Sequence, residues 1–332
     1  MKKFRMAVFM MSLLLAGCQG TPGRQPELSP TAVWVDPPPP AAATATPTPR
    51  IVPTQAPTHT PTTGPLEFAV RVPKADVWDA PENENSYWDL QTQLILGEKV
   101  LVLGQQGEWS QIVAVEQPSK KDPRGYPGWL RSEFLVQGWP KAEYFAVVMK
   151  ARTRLRAEQG GVPGMLIYLD TRLPVVTTVE EWVQVRLPDG TEGWLPFEDV
   201  RLTQNLSEPY PTNGLFALAE SLVGVPYKWG GTTSEALDCA SLPYRLFHAY
   251  GIRMSRDADD QALEGEFVGR YDVRKGDLIF VSESSKGKIT HEVIYWGNDM
   301  VVDADITNGV MIRPMPEFFA YYFWITARRF AP

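Results

Sequence analysis

From Glu67 onward, apolar residues fall in short runs broken by glycine, proline and charge, the pattern of compact β-structure. Runs at 100–103, 109–115 and 128–130 read as three strands of one unit, and runs at 175–178, 182–187 and 193–195 repeat the theme. The echo extends to residue identity. Glu108-Trp109-Ser110-Gln111-Ile112 matches Glu181-Trp182-Val183-Gln184-Val185, and Gly128-Trp129-Leu130 returns as Gly193-Trp194-Leu195. The first unit carries an insertion at 116–126, long for so small a module and ending on Tyr126 between a glycine and a proline. After Pro211 the pattern becomes mixed. A helix is expected over 215–223. A second opens around Cys239 and closes at Gly251, with Leu242, Leu246 and Ala249 on one core face. Pro243 is tolerable there because it falls in the first turn. Strands at 291–296 and 300–304, joined by Gly297-Asn298-Asp299, predict an antiparallel hairpin.

The N-terminus follows neither pattern. Lys2, Lys3 and Arg5 precede an apolar stretch from Met6 to Leu15, too short to span a bilayer. Residues 19–64 are rich in proline, threonine and alanine, with too little apolar surface to offset chain entropy, so an extended or disordered tether is expected. Leu15-Ala16-Gly17-Cys18 resembles the bacterial lipobox. That resemblance implies a signal peptide at 1–17, a diacylated Cys18, and an exported chain anchored in the membrane at the cell envelope.

Charge and cysteine usage narrow the chemistry. The 332 residues carry a formal net charge of −7 and no basic run, which argues against a nucleic-acid partner. Two cysteines, Cys18 and Cys239, and three histidines, His59, His248 and His291, exclude a disulfide framework and a thiolate-rich zinc site. No metal or cofactor is expected. With Cys18 lipidated, Cys239 is left without a partner. Its place at a helix N-terminus, where unpaired N–H groups and the dipole favour an anion, predicts a reactive thiolate. A thiolate nucleophile needs a base and a group to orient it. His248 lies about 2.5 turns along the same helix and cannot reach the thiol. His291 opens the predicted hairpin, whose second strand brings Asp303 or Asp305 towards it.

Taken together, Tyr227-Lys228-Trp229-Gly230-Gly231, Asp238-Cys239, Lys275-Gly276-Asp277-Leu278-Ile279-Phe280, Thr290-His291 with Ile294-Tyr295, and Val302-Asp303-Ala304 resemble the NlpC/P60 family of cell-wall cysteine peptidases. The two tryptophan-bearing β-units resemble bacterial SH3 (SH3b) domains. The expected architecture is therefore multidomain: two small all-β SH3b barrels at 65–140 and 141–208, then an α+β papain-like domain at 209–332, behind the signal peptide and an 18–64 tether. The loop Gly125-Tyr126-Pro127-Gly128-Trp129 and Ser255-Arg256-Asp257-Ala258-Asp259-Asp260-Gln261 resemble the subgroup that cleaves γ-D-glutamyl–diamino acid bonds in peptidoglycan peptides with a free N-terminal L-Ala.

The resemblance implies Cys239 as nucleophile, His291 as base and Asp303 as the third catalytic residue. It implies Asp257 paired with the substrate's α-amine, Tyr126 walling off the amine side, and Tyr227 lining the pocket. Asp238 and Ala240 flank the nucleophile as substrate-side positions, and Gln91 is a further amine contact. The backbone N–H of Cys239 would supply part of an oxyanion hole. Three departures stand out. Ala240-Ser241 replaces the usual Ser-Gly, Asp303 stands where the family usually has His, and Glu292-Val293 replaces the usual Val-Gly. They keep open the alternative of a catalytically impaired, lipid-anchored protein that only binds peptidoglycan.

Overall fold

The computed structural model describes residues 66–138, 141–284 and 287–331. The expected signal peptide, lipidation site Cys18 and tether lie outside the described residues. Seven strands come first: β1 (Leu66–Val70), β2 (Lys74–Trp78), β3 (Leu90–Ile95), β4 (Lys99–Gln106), β5 (Trp109–Ala114), β6 (Tyr126–Arg131) and β7 (Leu135–Gln137). They form one antiparallel sheet in the order β3-β2-β6-β5-β4-β1-β7. Alternation along them turns Val77, Leu94, Val100, Ile112 and Leu130 into one core.

The next seven are β8 (Phe145–Val148), β9 (Arg152–Arg156), β10 (Pro163–Tyr168), β11 (Arg172–Val179), β12 (Trp182–Arg186), β13 (Glu192–Pro196) and β14 (Val200–Thr203). Their order, β10-β9-β13-β12-β11-β8-β14, reproduces the first sheet strand for strand. The sequence echo is thus a topological one. Their separate core is built on Val148, Leu155, Ile167, Val183, Val185 and Leu195.

The remainder contains a short ribbon of β15 (Thr232–Thr233) and β16 (Ala236–Leu237), and a six-stranded antiparallel sheet. The six strands are β17 (Glu266–Val268), β18 (Leu278–Ser282), β19 (His291–Gly297), β20 (Met300–Asp305), β21 (Gly309–Pro314) and β22 (Phe323–Arg329), in the order β17-β22-β18-β19-β20-β21. Helices α1 (Leu215–Glu220) and α2 (Ser241–Ala249) pack on one face against Leu278, Phe280, Ile294 and Val302. On the other face Ile279, Val281, Val293 and Val301 meet Phe318 of α4 (Met315–Phe318), while α3 (Ala258–Gln261) lies beyond α2 in the chain.

Three expectations change in detail. The first helix stops at Glu220 rather than 223, because its last turn tightens to i→i+3 bonds (Leu222 N–H to Ala219 O and Val223 N–H to Glu220 O, both 3.1 Å) before Gly224 turns with positive φ. The second helix does not have a single core face: all nine residues of α2 are buried. The two β-units cover its outer side, Val147 and Leu169 joining its core and buried charged groups supplying the rest. Arg245 reaches Glu98 at 2.6 Å and Asp170 at 3.2 Å, and Asp170 also lies 2.5 Å from His248 Nδ1. The expected hairpin forms. Gly297 pairs with Met300, and Asn298 and Asp299 both take positive φ, the backbone of a type I′ turn.

Candidate active site

The thiol is placed by a capping arrangement. Asp238 Oδ1 accepts the Ser241 N–H at 2.7 Å, while Ser241 Oγ accepts the Asp238 N–H at 2.9 Å. This reciprocal pair is a capping box with serine in the role of the usual Glu or Gln. Asp238 carbonyl accepts the Leu242 N–H at 3.3 Å, so the chain is already helical at Cys239, whose own N–H has no intrahelical partner. Cys239 is half-buried and lines a cleft of about 480 Å³.

The sequence-predicted residues meet in this cleft. Gln91, Tyr126, Tyr227, Asp238, Cys239, Ala240 and Asp257 all line it, with Lys288, Ile289 and Thr290 leading into His291. Their roles differ. The Asp238 carboxylate is used up inside the protein: Oδ2 accepts the Gly230 N–H at 3.0 Å, and Arg256 bonds both oxygens. Gly230 must be glycine, since its φ is +73° and a Cβ there would sit 2.6 Å from the Leu90 carbonyl of β3. Tyr227 is half-buried, and burial, then proximity to Cys239 and Asp238, raises its phenol well above the ordinary range. Ala240 is buried and its carbonyl accepts from Gln261 Nε2 at 3.1 Å.

Of the two carboxylates left open by the sequence, Asp303 is the one at His291: Nε2 to Oδ1 is 2.6 Å. Asp305 instead accepts from the Thr307 and Asn308 N–H groups at 2.8 and 3.0 Å, closing its own turn. A carboxylate on Nε2 keeps the ring proton there and leaves Nδ1 as the basic nitrogen. The ring is wedged by Tyr322, stacked at 5.1 Å, and Asp303 Oδ2 lies 2.5 Å from Arg313 Nη2. Among the described residues no hydrogen bond joins Cys239 to His291.

One expectation is reversed. Burial first, then the Asp238 and Asp303 carboxylates, push the Cys239 thiol well above its usual value against a smaller pull from Arg256. The helix terminus still favours the anion, but in this enclosed position the resting group is the thiol. Glu292 is itself buried, with neither carboxyl oxygen hydrogen-bonded, and burial raises it far above the carboxylate range. It is therefore neutral and does not repel a thiolate.

In the same cleft the Tyr126 hydroxyl lies 3.2 and 3.1 Å from the two Asp257 oxygens. Asp257, Asp259 and Asp260 approach one another closely, and Lys120 bridges the latter two. Sequence reasoning missed Arg256, Tyr322, Arg313 and Lys121. The first was quoted only within a motif, and no local signal marks an arginine that is 2% exposed.

Known proteins resemble this chain in sequence and in fold. Residues 224–329 match the NlpC/P60 family, and residues 148–202 match the YKFC SH3b2 domain, so an SH3b domain is present. The chain is 34% identical over 222 residues to a gamma-D-glutamyl-L-lysine dipeptidyl-peptidase of Bacillus subtilis (strain 168), covering 66% of this chain and 73% of that one. A Bacillus cereus protein of the same name is 29% identical, over 73% and 76% of the two chains. In fold, an NlpC/P60 family protein from Bacillus cereus ATCC 10987 superposes with a TM-score of 0.72 at 24% identity, covering 80% of this chain and all (100%) of the other. The capped cysteine, the histidine–aspartate pair and these matches place the chain in the NlpC/P60 family.

Proposed function

We propose that the protein is a cysteine peptidase that hydrolyses the γ-D-glutamyl–L-diamino acid bond of peptidoglycan peptides bearing a free N-terminal L-Ala. Enzymes of that name among its relatives support hydrolysis of cell-wall peptides. The observation that carries the finer reading is the single cleft that Cys239 shares with the Asp257–Tyr126 pair. A carboxylate in the cleft of the nucleophile selects a peptide by its terminal ammonium, because a blocked terminus cannot form the ion pair with Asp257.

In this mechanism His291 Nδ1 takes the Cys239 proton as the sulfur attacks the γ-carbonyl carbon of D-Glu. The oxyanion receives the Cys239 N–H. The imidazolium, held by Asp303, gives its proton to the departing amine as the C–N bond breaks and a thioester forms. Water, deprotonated by the same nitrogen, then releases L-Ala-D-Glu and restores the thiol. Asp303 in place of histidine suits this cycle, since a carboxylate stabilises the imidazolium directly.

The same reading takes the first β-unit as a second SH3b domain, on the strength of its matching strand order, with SH3b units at 65–140 and 141–208 and a papain-like peptidase at 209–332. It also takes the chain as exported and held at the membrane by a lipid on Cys18, behind a leader at 1–17 and a tether at 18–64. The test is incubation of the full-length protein and Cys239→Ala with L-Ala-γ-D-Glu-L-Lys and its diaminopimelate counterpart. Release of L-Ala-D-Glu by wild type alone is expected. No release by either, with peptidoglycan still bound, would replace this reading with that of an inactive wall-binding protein.

A further inference from the structure

The amine end of the cleft already holds an ammonium group. Lys121, from the insertion between β5 and β6, places Nζ 3.1 Å from Gln91 Oε1 and 3.3 Å from Asp257 Oδ2, and hydrogen-bonds the Tyr126 hydroxyl. The same nitrogen lies 4.1 Å from the centre of the Tyr126 ring. Tyr126 donates to Asp257 and accepts from Lys121, so three oxygen acceptors from three separate segments converge on one nitrogen. A primary ammonium has three N–H donors and no acceptor. The seat fits that group, and it does not distinguish a lysine side chain from a peptide N-terminus.

We propose that Lys121 is a built-in competitor for the terminal amine of the substrate, and thereby a specificity-determining residue. This rests on the reading of Asp257, Tyr126 and Gln91 as the amine subsite. A peptide binds by displacing Lys121 into solvent, which its position permits: the side chain is 37% exposed on a four-carbon stem, and Asp257 is 26% exposed. A peptide without a free amine gains nothing from the exchange and leaves Lys121 seated. The resident cation also keeps Asp257 compensated between turnovers, so the subsite does not take up adventitious small cations.

The strength of this competition follows from the fraction of molecules with the seat empty, because apparent affinity falls by that fraction. A partly exposed ion pair is weak, so the seat is filled in about half to nine-tenths of the molecules. Removing Lys121 should tighten binding of a free-amine peptide about two- to tenfold.

The experiment measures binding without turnover, by calorimetry on full-length Cys239→Ala protein carrying in addition either Lys121→Met or Asp257→Asn. The ligands are L-Ala-γ-D-Glu-L-Lys and its N-acetyl form, and circular dichroism checks the fold of each variant. Lys121→Met keeps an unbranched apolar side chain of similar length and removes the ammonium. The expected result is two- to tenfold tighter binding of the free-amine peptide, unchanged binding of the acetylated one, and loss of discrimination in Asp257→Asn. Unchanged or weaker free-amine binding in Lys121→Met, with Asp257→Asn still impaired, overturns the competitor role and leaves the amine subsite standing. If Asp257→Asn discriminates as well as its parent, the subsite itself is wrong and the competitor role falls with it.

Discussion

Arg256 grips Asp238 with both prongs of its guanidinium, Nη1 to Oδ1 at 3.1 Å and Nη2 to Oδ2 at 2.5 Å, in a place where both side chains are less than a tenth exposed. The carboxylate it holds is the cap of the helix that presents Cys239. Arg256 is itself fixed from the first β-unit: its Nε donates to Thr92 Oγ1 of β3 at 3.1 Å, and its backbone N–H donates to the Pro118 carbonyl at 2.9 Å. The next residue, Asp257, meets Tyr126. Two consecutive residues therefore tie the cap of the Cys239 helix and the Asp257 carboxylate to the same β-unit, and the placement of Asp257 relative to the thiol becomes a property of that interface.

Replacing Arg256 by methionine should cost more than removing the pair. The single change strands a buried carboxylate, a loss of about 3–5 kcal/mol, whereas Asp238→Asn with Arg256→Met leaves no uncompensated charge. Urea unfolding of the three variants reads this out. A single-variant cost below about 1 kcal/mol, or a double variant less stable than Arg256→Met, would show that the pair does not hold the cap.

Asp303→Asn should lower kcat by about 10²–10⁴ while leaving KM within a fewfold. The asparagine can hold His291 by its oxygen or by its amide, so the tautomer with a free, basic Nδ1 is no longer enforced. The amide also leaves Arg313, 2.5 Å from Oδ2, without its counter-charge. Steady-state kinetics on the free-amine tripeptide measure the split. A KM effect alone would move Asp303 from orienting the base to contacting substrate.

Much of this site was legible from short-range pattern. The Cys239 helix follows from the apolar spacing and from Gly251, and the hairpin follows from an Asn298-Asp299 turn whose residues tolerate positive φ. The repeat of Glu-Trp-x-Gln revealed two sheets of one topology. The choice between Asp303 and Asp305 was not legible, because strand alternation puts both on one face and only their distance from His291 separates them. Nor was the role of Arg245, Arg256 or Lys121, each of which meets partners more than a hundred positions away or in a loop of no regular structure. The sign of the Cys239 shift was misjudged for a related reason: a helix terminus is visible in sequence, and the enclosure of its first turn by other segments is not.

Glu292 gives stability a pH dependence. By strand alternation it shares the face of Ile294, which packs towards α2, and its carboxyl is kept neutral by burial first and by Asp238 second. A carboxyl whose folded value is raised above the unfolded one contributes stability that is complete below about pH 4.5 and is lost as pH rises towards the folded value. The loss is at most about 1.4 kcal/mol per pH unit. Glu292→Gln keeps the shape without the proton, so its stability relative to wild type should grow as pH rises above about 4.5. Thermal unfolding at matched ionic strength measures the two slopes, and parallel slopes would mean that Glu292 is ionised in the native protein.

Cys239 should behave as a thiol until the substrate cleft engages its base. Burial, reinforced by Asp238 and Asp303, places its ionisation well above the usual range, so alkylation by iodoacetamide should rise steadily from neutral into alkaline pH. A preformed thiolate–imidazolium pair would instead give a plateau beginning on the acid side, near the ionisation of a depressed thiol at about pH 4–7. His291→Ala separates the two further. Loss of the ring leaves the alkylation profile nearly unchanged if the proton sits on sulfur, and shifts it strongly upward in pH if the ring holds the proton. Mass spectrometry of the peptide containing Cys239 follows that site without interference from Cys18. An acid-side plateau that His291→Ala abolishes would make the nucleophile ionised at rest and move the proton transfer ahead of substrate binding.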